Sequence, residues 1–539
     1  MRRFALAAVA AASLAAPAPP AAAQDIEVSA RAGGVALPAA YYERIRQDPD
    51  FFELKRGWRN LAPPPSALLP PGAPSPWIVL PPRGELRMAV VMALFADSGE
   101  PPYPASLTQR LLFGDNPLGS LTDFYADASG GRVNLTGEVS SWVRTGITRA
   151  EAVGSSYGLG RDARVAEFFV DALARVDGEI DFALYDNDGP DGIPNSGDDD
   201  GFVDVAVFQF AEVAASCGGP GIWPHRSILA WWLGAPYETR ARRPDGRPIL
   251  VDDYIVQSAV DCDGEPQSIS TIAHETGHAF GLPDYYHAVN GILPAQRRWV
   301  LGCWTLMAAG GWGCGDGSTF GKTAFPSRMG AFERWRLGWM GRVQHTGWQR
   351  EHLLQPAAGG EALAVDLGKD GEYLLLEFRP NAGWDAGLPA GGVLVYHVDH
   401  TRPHYPCPTC PPEYAVALVE ADNDGALLRT HEQGGNRGVA GDVFTGTRTV
   451  TDADFPLLRR NDGRRSHLRL DFVVSADAAR VRVSILPAVE RARLLAPFFA
   501  GAALAPQEAA AYDFFGNGNG RYDLGDLRRF LREEAIGGG

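Results

Sequence analysis

The sequence predicts an α+β protein of several units: a mixed unit of strands and helices, then an all-β sandwich-like module, then a short C-terminal helical segment headed by a calcium-type loop. Length is the first reason. At 539 residues the chain exceeds what one hydrophobic core sustains, about 250–300 residues, and its 45% hydrophobic and 21% charged residues are the proportions of a chain that folds. Texture is the second. The apolar run Leu86–Phe95 has strand length, the apolar residues between Ala163 and Ala174 recur at helical spacing, and Val203–Phe210 is apolar again. Such alternation marks an α+β or α/β unit. Beyond Gln344 the pattern changes to short runs, Tyr373–Phe378, Val393–Val398 and Ala415–Glu420, separated by Gly, Pro and Asp clusters, which is the texture of a sandwich.

The chain begins with Arg2 and Arg3, an apolar stretch Phe4–Ala16 and a small-residue site at Ala21–Ala23, the three parts of a secretory signal peptide (residues 1–23) cut after Ala23. Residues 24–85 read as a prosegment ending in the Pro-rich linker Pro63–Pro82, extended as polyproline II. The mixed unit follows over 86–343, the β module over 344–488, and a linker with the helical tail over 489–539. No later run approaches the ~18 apolar residues of a membrane span, so no transmembrane segment is expected. A formal charge of -16 opposes binding to nucleic acid or an anionic membrane and suits calcium and an extracellular medium. Six cysteines in an exported chain imply disulfides. Six cysteines permit 15 connectivities that the sequence does not choose between; the pairs expected here are Cys217–Cys262, Cys303–Cys314 and Cys407–Cys410. The last spacing also fits a redox motif, but no βαβ pattern surrounds it, which favours a local staple.

The chemistry centres on His274-Glu-Thr-Gly-His278, an H-E-x-x-H string preceded by Ser268 and Ser270 as alternative N-caps. On a helix the two histidines lie one turn apart, β-carbons about 5–6 Å from each other, so both imidazoles reach one zinc ion. Glu275 lies beside that face, placed to take a proton from an attacking water and deliver it to a leaving amine. Gly281 stands where the helix would end in a left-handed residue and Pro283 forbids continuation, so Asp284 returns as the third ligand and one coordination position stays open. The bland alternative, a structural helix with two surface histidines, leaves that abrupt stop unexplained. Met307, one of only six methionines, follows in the Gly-rich stretch Trp304–Gly311 and suits the soft floor that metzincins place beneath their ligands. Tyr285 or Tyr286, with Tyr286 preferred, is a candidate hydrogen-bond donor to the oxyanion; packing on the helix end is the competing reading.

Two further clusters suit calcium. Asp186, Asp188, Asp200 and Asp204 lie in an acidic loop whose carboxylates repel one another unless a hard cation neutralises them, although the spacing is not that of an EF-hand. Near the C-terminus, Asn517, Asn519, Asp523 and Asp526 lie in a run that resembles a dockerin-like or EF-hand-like loop, with Asp513 substituting for the irregular Phe515. That tail reads either as a module for a docking partner or as a calcium-stiffened end.

Taken together, the residues resemble the immune inhibitor A-like family of secreted bacterial metallopeptidases. The likeness runs through Leu86–Asp97, Leu111–Gly114, Gly119–Tyr125, Val133–Trp142, Ile222–Arg226, the histidine helix, the Met307 stretch, Pro326–Trp339, Tyr373–Asp399 and Val416–Asp442. The resemblance implies a metzincin-like zinc endopeptidase with calcium sites, made with a prosegment, released or held at the cell surface, and acting on protein or peptide substrates. The chain departs from the family at His287, where an acid is usual, and in an insertion around Pro190–Asp198. A monomer is expected. Two rivals stand beside this reading: a thermolysin-like set in which Glu333 replaces Asp284, and a calcium-dependent surface adhesin or docking protein on a protease scaffold.

Overall fold

The computed structural model describes residues 38–48, 51–52, 54–58, 82–187, 197, 199–286, 297–314, 326–356, 361–402, 414–486 and 491–537. The expected signal peptide, most of the Pro-rich linker, and Cys407 and Cys410 lie outside them.

Strand β1 (Gly84–Leu94) runs through the middle of the mixed unit, and its two faces explain why its sequence is apolar without alternation. Ala89, Val91 and Ala93 point to one core, shared with Phe168, Phe169 and Leu173 of a helix spanning Val165–Val176. Leu86, Met88, Val90 and Met92 point to the other, shared with Phe124, Tyr125, Ile272 and Ala273. Neighbouring β2 (Val133–Val139), β3 (Val143–Arg144), β5 (Ala206–Phe210) and β9 (Asp253–Ser258) complete a parallel sheet, and β6 (His225–Ile228) closes one edge antiparallel to β9. A smaller sheet joins β4 (Phe202–Val203), β8 (Pro248–Val251) and β7 (Tyr237–Arg242).

The expected strand Val203–Phe210 is thus two strands in two sheets. Asp204 is the cause: fully buried, its carboxylate needs donors, and it accepts from Asn187 N (3.0 Å) and Trp58 Nε1 (3.1 Å), which interrupts the ladder. The histidine helix, Ser270–Ala279, also differs at its start. Ile269, not Ser268 or Ser270, occupies the N-cap, and Ser270 N donates to Ser268 Oγ (3.4 Å).

Two further sheets follow. One orders β10 (Gly341–Gln344), β12 (Glu361–Lys369), β13 (Glu372–Arg379), β14 (Gly392–Asp399) and β15 (Val416–Leu418); the other orders β11 (Gln349–Leu354), β18 (Ala479–Ser484), β17 (Arg469–Val474) and β16 (Thr447–Thr451). Leu374, Leu376 and Val395 meet Leu470, Phe472 and Val481 between the sheets. Leu375, Tyr396 and Val398, on the opposite face, join the core that holds Ile272 and Ala273. Helices Arg491–Phe499, Pro506–Phe515 and Leu524–Gly537 close the chain over Leu494, Tyr512, Leu527 and Phe530. Among the described residues no helix is long and apolar enough to cross a membrane.

A buried polar knot joins the two units. Arg379 Nε donates to Asp385 Oδ2 (2.7 Å) and its Nη2 to Asp385 Oδ1, while Nη1 donates to Trp304 O (3.1 Å) and Glu377 Oε1 (3.3 Å). Tyr396 Oη and Ala331 N also donate to Glu377. Removing one member of such a knot leaves a charge in a dry interior. Asp385→Ala is expected to lower the free energy of unfolding by about 3 kcal/mol in a urea melt; a loss below about 1 kcal/mol would mean that the ion pair contributes no more than a surface one.

Candidate metal centre

The histidine helix presents His274 and His278 one turn apart, with ring centroids 5.1 Å apart and planes at 86°. Each ring is aimed by its far nitrogen. His274 Nδ1 lies 3.0 Å from Leu306 O and His278 Nδ1 lies 2.7 Å from Leu282 O, so each carbonyl takes an Nδ1 proton and leaves Nε2 facing the site. Helix propagation stops after Ala279. Gly281 takes φ +80°, Gly281 N donates to His278 O (2.8 Å), Leu282 N donates to Gly277 O (3.1 Å), and the chain reverses. Asp284 Oδ1 then lies 3.0 Å from His274 Nε2 and 3.5 Å from His278 Nε2. Burial pushes the Asp284 carboxyl up, but the His278 charge and hydrogen bonds from both imidazoles hold it well below the usual carboxylate range. Burial lowers His274, but the bond to Asp284, the Asp284 and Glu275 charges and the bond to Leu306 O together leave it raised. The three side chains thus converge on one point.

Glu275 Oε2 lies 4.0 Å from His278 Nε2, is buried, and has no hydrogen-bond partner. Such an oxygen is costly to bury unless something else uses it.

Met307 lies under the helix in the turn Leu306–Gly310, whose backbone kinks at Ala308. A β-carbon at Gly277 would overlap the Met307 sulfur, so helix and turn meet through a glycine. Tyr285 N donates to Met307 O (2.8 Å) and ties the segment after the reversal to the same turn. Glu333 serves this turn instead of the imidazoles. Its Oε1 accepts from Met307 N (3.3 Å), and its Oε2 from Thr305 Oγ1 and Gly330 N (3.1 Å). Burial raises its carboxyl to about 7 against those bonds.

The two tyrosines separate. Tyr285 Oη accepts from Arg336 Nη1 at 3.4 Å and its ring packs on Phe332. Tyr286 stands between Trp299 and Trp312, and burial, then the Asp284 charge, raises its hydroxyl well above the ordinary value, which keeps it a proton donor. Trp312, whose ring centroid is 5.0 Å from that of His274, is a wall residue the sequence reading missed; its only sequence signal is its place five residues after Met307.

The acidic loop is brought together in part. Asp186 is pushed up to about 6 by burial and by the Asp200 and Asp199 charges, and its Oδ1 is buried without a partner. Asp200 faces Arg56 at 3.5 Å, Asp204 serves Asn187 and Trp58, and Asp188 lies outside the described residues. In the tail loop, Asn517 and Asn519 donate to Asp523, Asn517 N and Asp523 N donate to Asp526, and Gly520 N donates to Asp513. Disulfides Cys217–Cys262 and Cys303–Cys314 are formed.

Residues 100–340 match the family model of the immune inhibitor A peptidase M6 catalytic domain. The pre-pro-metalloprotease PrtV of Vibrio cholerae serotype O1 (strain ATCC 39315 / El Tor Inaba N16961) is 28% identical over 264 residues, 45% of this chain and 28% of that protein. Immune inhibitor A of Bacillus thuringiensis subsp. alesti is 27% identical over 230 residues, 38% of this chain and 31% of that protein. The match thus spans less than a third of the length of either relative. Segment 100–340 is therefore similar to the catalytic domain of the immune inhibitor A family of M6 metallopeptidases.

Proposed function

We propose that the chain is a secreted zinc endopeptidase of metzincin-like architecture, in which His274, His278 and Asp284 hold the ion and Glu275 is the general base for cleavage of extracellular proteins. One observation carries this reading: Asp284 Oδ1 stands 3.0 and 3.5 Å from the two inward-facing Nε2 atoms. Two ligands of a tetrahedral ion, each about 2.0–2.1 Å from it, are about 3.3 Å apart. Two imidazoles and one carboxylate are also a donor set that suits zinc and leaves a fourth position open.

When bound, zinc supplies a Lewis acid that acidifies water and polarises the scissile carbonyl. Glu275 Oε2, free of other partners, takes a proton from the attacking water and passes it to the departing amine nitrogen. The Tyr286 hydroxyl donates to the oxygen that gains charge in the tetrahedral state. Residues 24–85 act as the prosegment, and calcium in the acidic loop stiffens the catalytic unit.

Glu275→Gln should retain zinc yet cleave casein at least about 100-fold more slowly; undiminished turnover would remove Glu275 from the mechanism. Zinc content then separates the third ligands. Asp284→Ala should lose the metal on dialysis while Glu333→Gln keeps it, and the reverse result would install Glu333 as ligand. Alanine normally favours a helix over glycine by about 1 kcal/mol, but Gly277→Ala should lower both melting temperature and zinc affinity because the new methyl displaces Met307. Adding Met307→Ala should recover much of the loss. Equal damage in the presence and absence of Met307 would mean that the contact is not the constraint.

A further inference from the structure

We infer that Glu420, Asp422 and Asp442 form a further cation site, of the hard, calcium-binding kind, which clamps the 420–442 segment onto the strip just before the Met307 turn. Their carboxylates offer one oxygen each within 4.8 Å of one another. Glu420 is 2% exposed and Asp442 fully buried, whereas Asp422 opens to solvent and gives an ion a way in. The existing hydrogen bonds hold these groups in place without satisfying them all. Glu420 accepts from Ala426 N (2.8 Å) and Leu427 N (3.2 Å). Asp442 Oδ2 accepts from Trp304 Nε1 (2.8 Å) and Val439 N (3.0 Å), but Asp442 Oδ1 is buried with no partner at all.

An orphan carboxylate oxygen in a dry interior beside another buried carboxylate must take up either a proton or a cation to offset its burial. Among the described residues no lysine or arginine pairs with Glu420 or Asp442; Arg429 reaches only the exposed Asp424, at 3.6 Å. Burial and then the Asp442 charge raise Glu420 to about 8, and burial, joined by the Asp422 and Asp424 charges, raises Asp442 to about 6. Ionised together, the three carboxylates would destabilise one another, and a bound cation would relieve that. The donor set is all carboxylate, with no imidazole or thiolate, which selects a hard oxygen-seeking ion; backbone carbonyls and water complete its six to eight ligands.

The location gives the ion a role. Asp442 holds Trp304, Cys303 N donates to Arg437 O, and Val300 N donates to Leu427 O (3.0 Å), so both ends of the 420–442 segment are sewn to residues 300–304. Binding there would tighten the β module against the floor of the metal centre.

The test uses the full chain stripped of metals and titrated with calcium, and with terbium excited through tryptophan, since Trp304 is bonded to one of the ligands. Asp422→Asn and Asp442→Asn should each bind one calcium equivalent fewer than the unaltered chain, or bind it at least 10-fold more weakly. Both should lose part of the terbium emission and part of the calcium-induced rise in melting temperature, with zinc content unchanged. Asp442→Asn can fail to fold because Trp304 depends on it; Asp422 is exposed, so its variant decides the matter alone. Full calcium stoichiometry and affinity in Asp422→Asn would overturn the site, whatever the outcome at Glu275 or Asp284.

Discussion

Gly281 makes possible the reversal on which the proposed metal centre rests. With φ at +80° it turns the backbone where a residue bearing a β-carbon would be strained, and Pro283 then denies the chain any return to helix. The same reversal delivers two groups to two jobs. Leu282 O orients His278 through Nδ1, and Asp284 Oδ1 comes within 3.0 and 3.5 Å of both Nε2 atoms. Orientation and charge are therefore not independent features of the site. A backbone that failed to turn at Gly281 would lose the carboxylate and the tautomer-setting carbonyl together.

The floor beneath is braced from several directions. Glu333 bonds the Met307 amide, Tyr285 N holds the Met307 carbonyl, and the Cys303–Cys314 disulfide brackets the turn. Trp304, two residues before Leu306, is gripped from the β module by Asp442 on its indole and Arg379 on its carbonyl. The geometry of the proposed ligands on one unit is thus fixed partly by buried polar groups on the other. Preorganisation of this kind matters because an ångström of slack at a ligand is enough to weaken a metal site.

What could be read from the sequence was local. Leu86–Phe95 declared a buried strand because both faces of β1 are covered, and the histidine string, Gly281 and Met307 stand at spacings set by one helix and one stop. What escaped depends on pairings across long stretches of chain. Asp204 sits in an apolar run that reads as one strand, and only the donors from Asn187 and Trp58 reveal why it is two. Trp312 touches His274 because a turn folds back, which no periodicity encodes. Glu420 and Asp442 are separated by a loop whose composition looks like ordinary surface, so their approach is visible only in three dimensions.

A strap ahead of β1 also reaches the histidine helix. Trp58 is 1% exposed, its indole donates to Asp204, and its backbone N–H donates to Ala279 O (2.8 Å), a carbonyl left open by the end of the histidine helix. Phe51 and Phe52 are buried against Trp223 and Leu159, and Arg56 bridges Asp252 and Asp253. Gly57, at φ +71°, is pressed so close to Ala279 O that a side chain would collide with it. Residues 51–52 and 54–58 of the proposed prosegment therefore pack closely on the mixed unit, with apolar burial worth about 25 cal/mol for each Å² covered. A cut downstream of Trp58 that released this strap would uncover the last turn of the helix that aims both imidazoles, whereas a cut upstream of Phe51 would leave that turn covered.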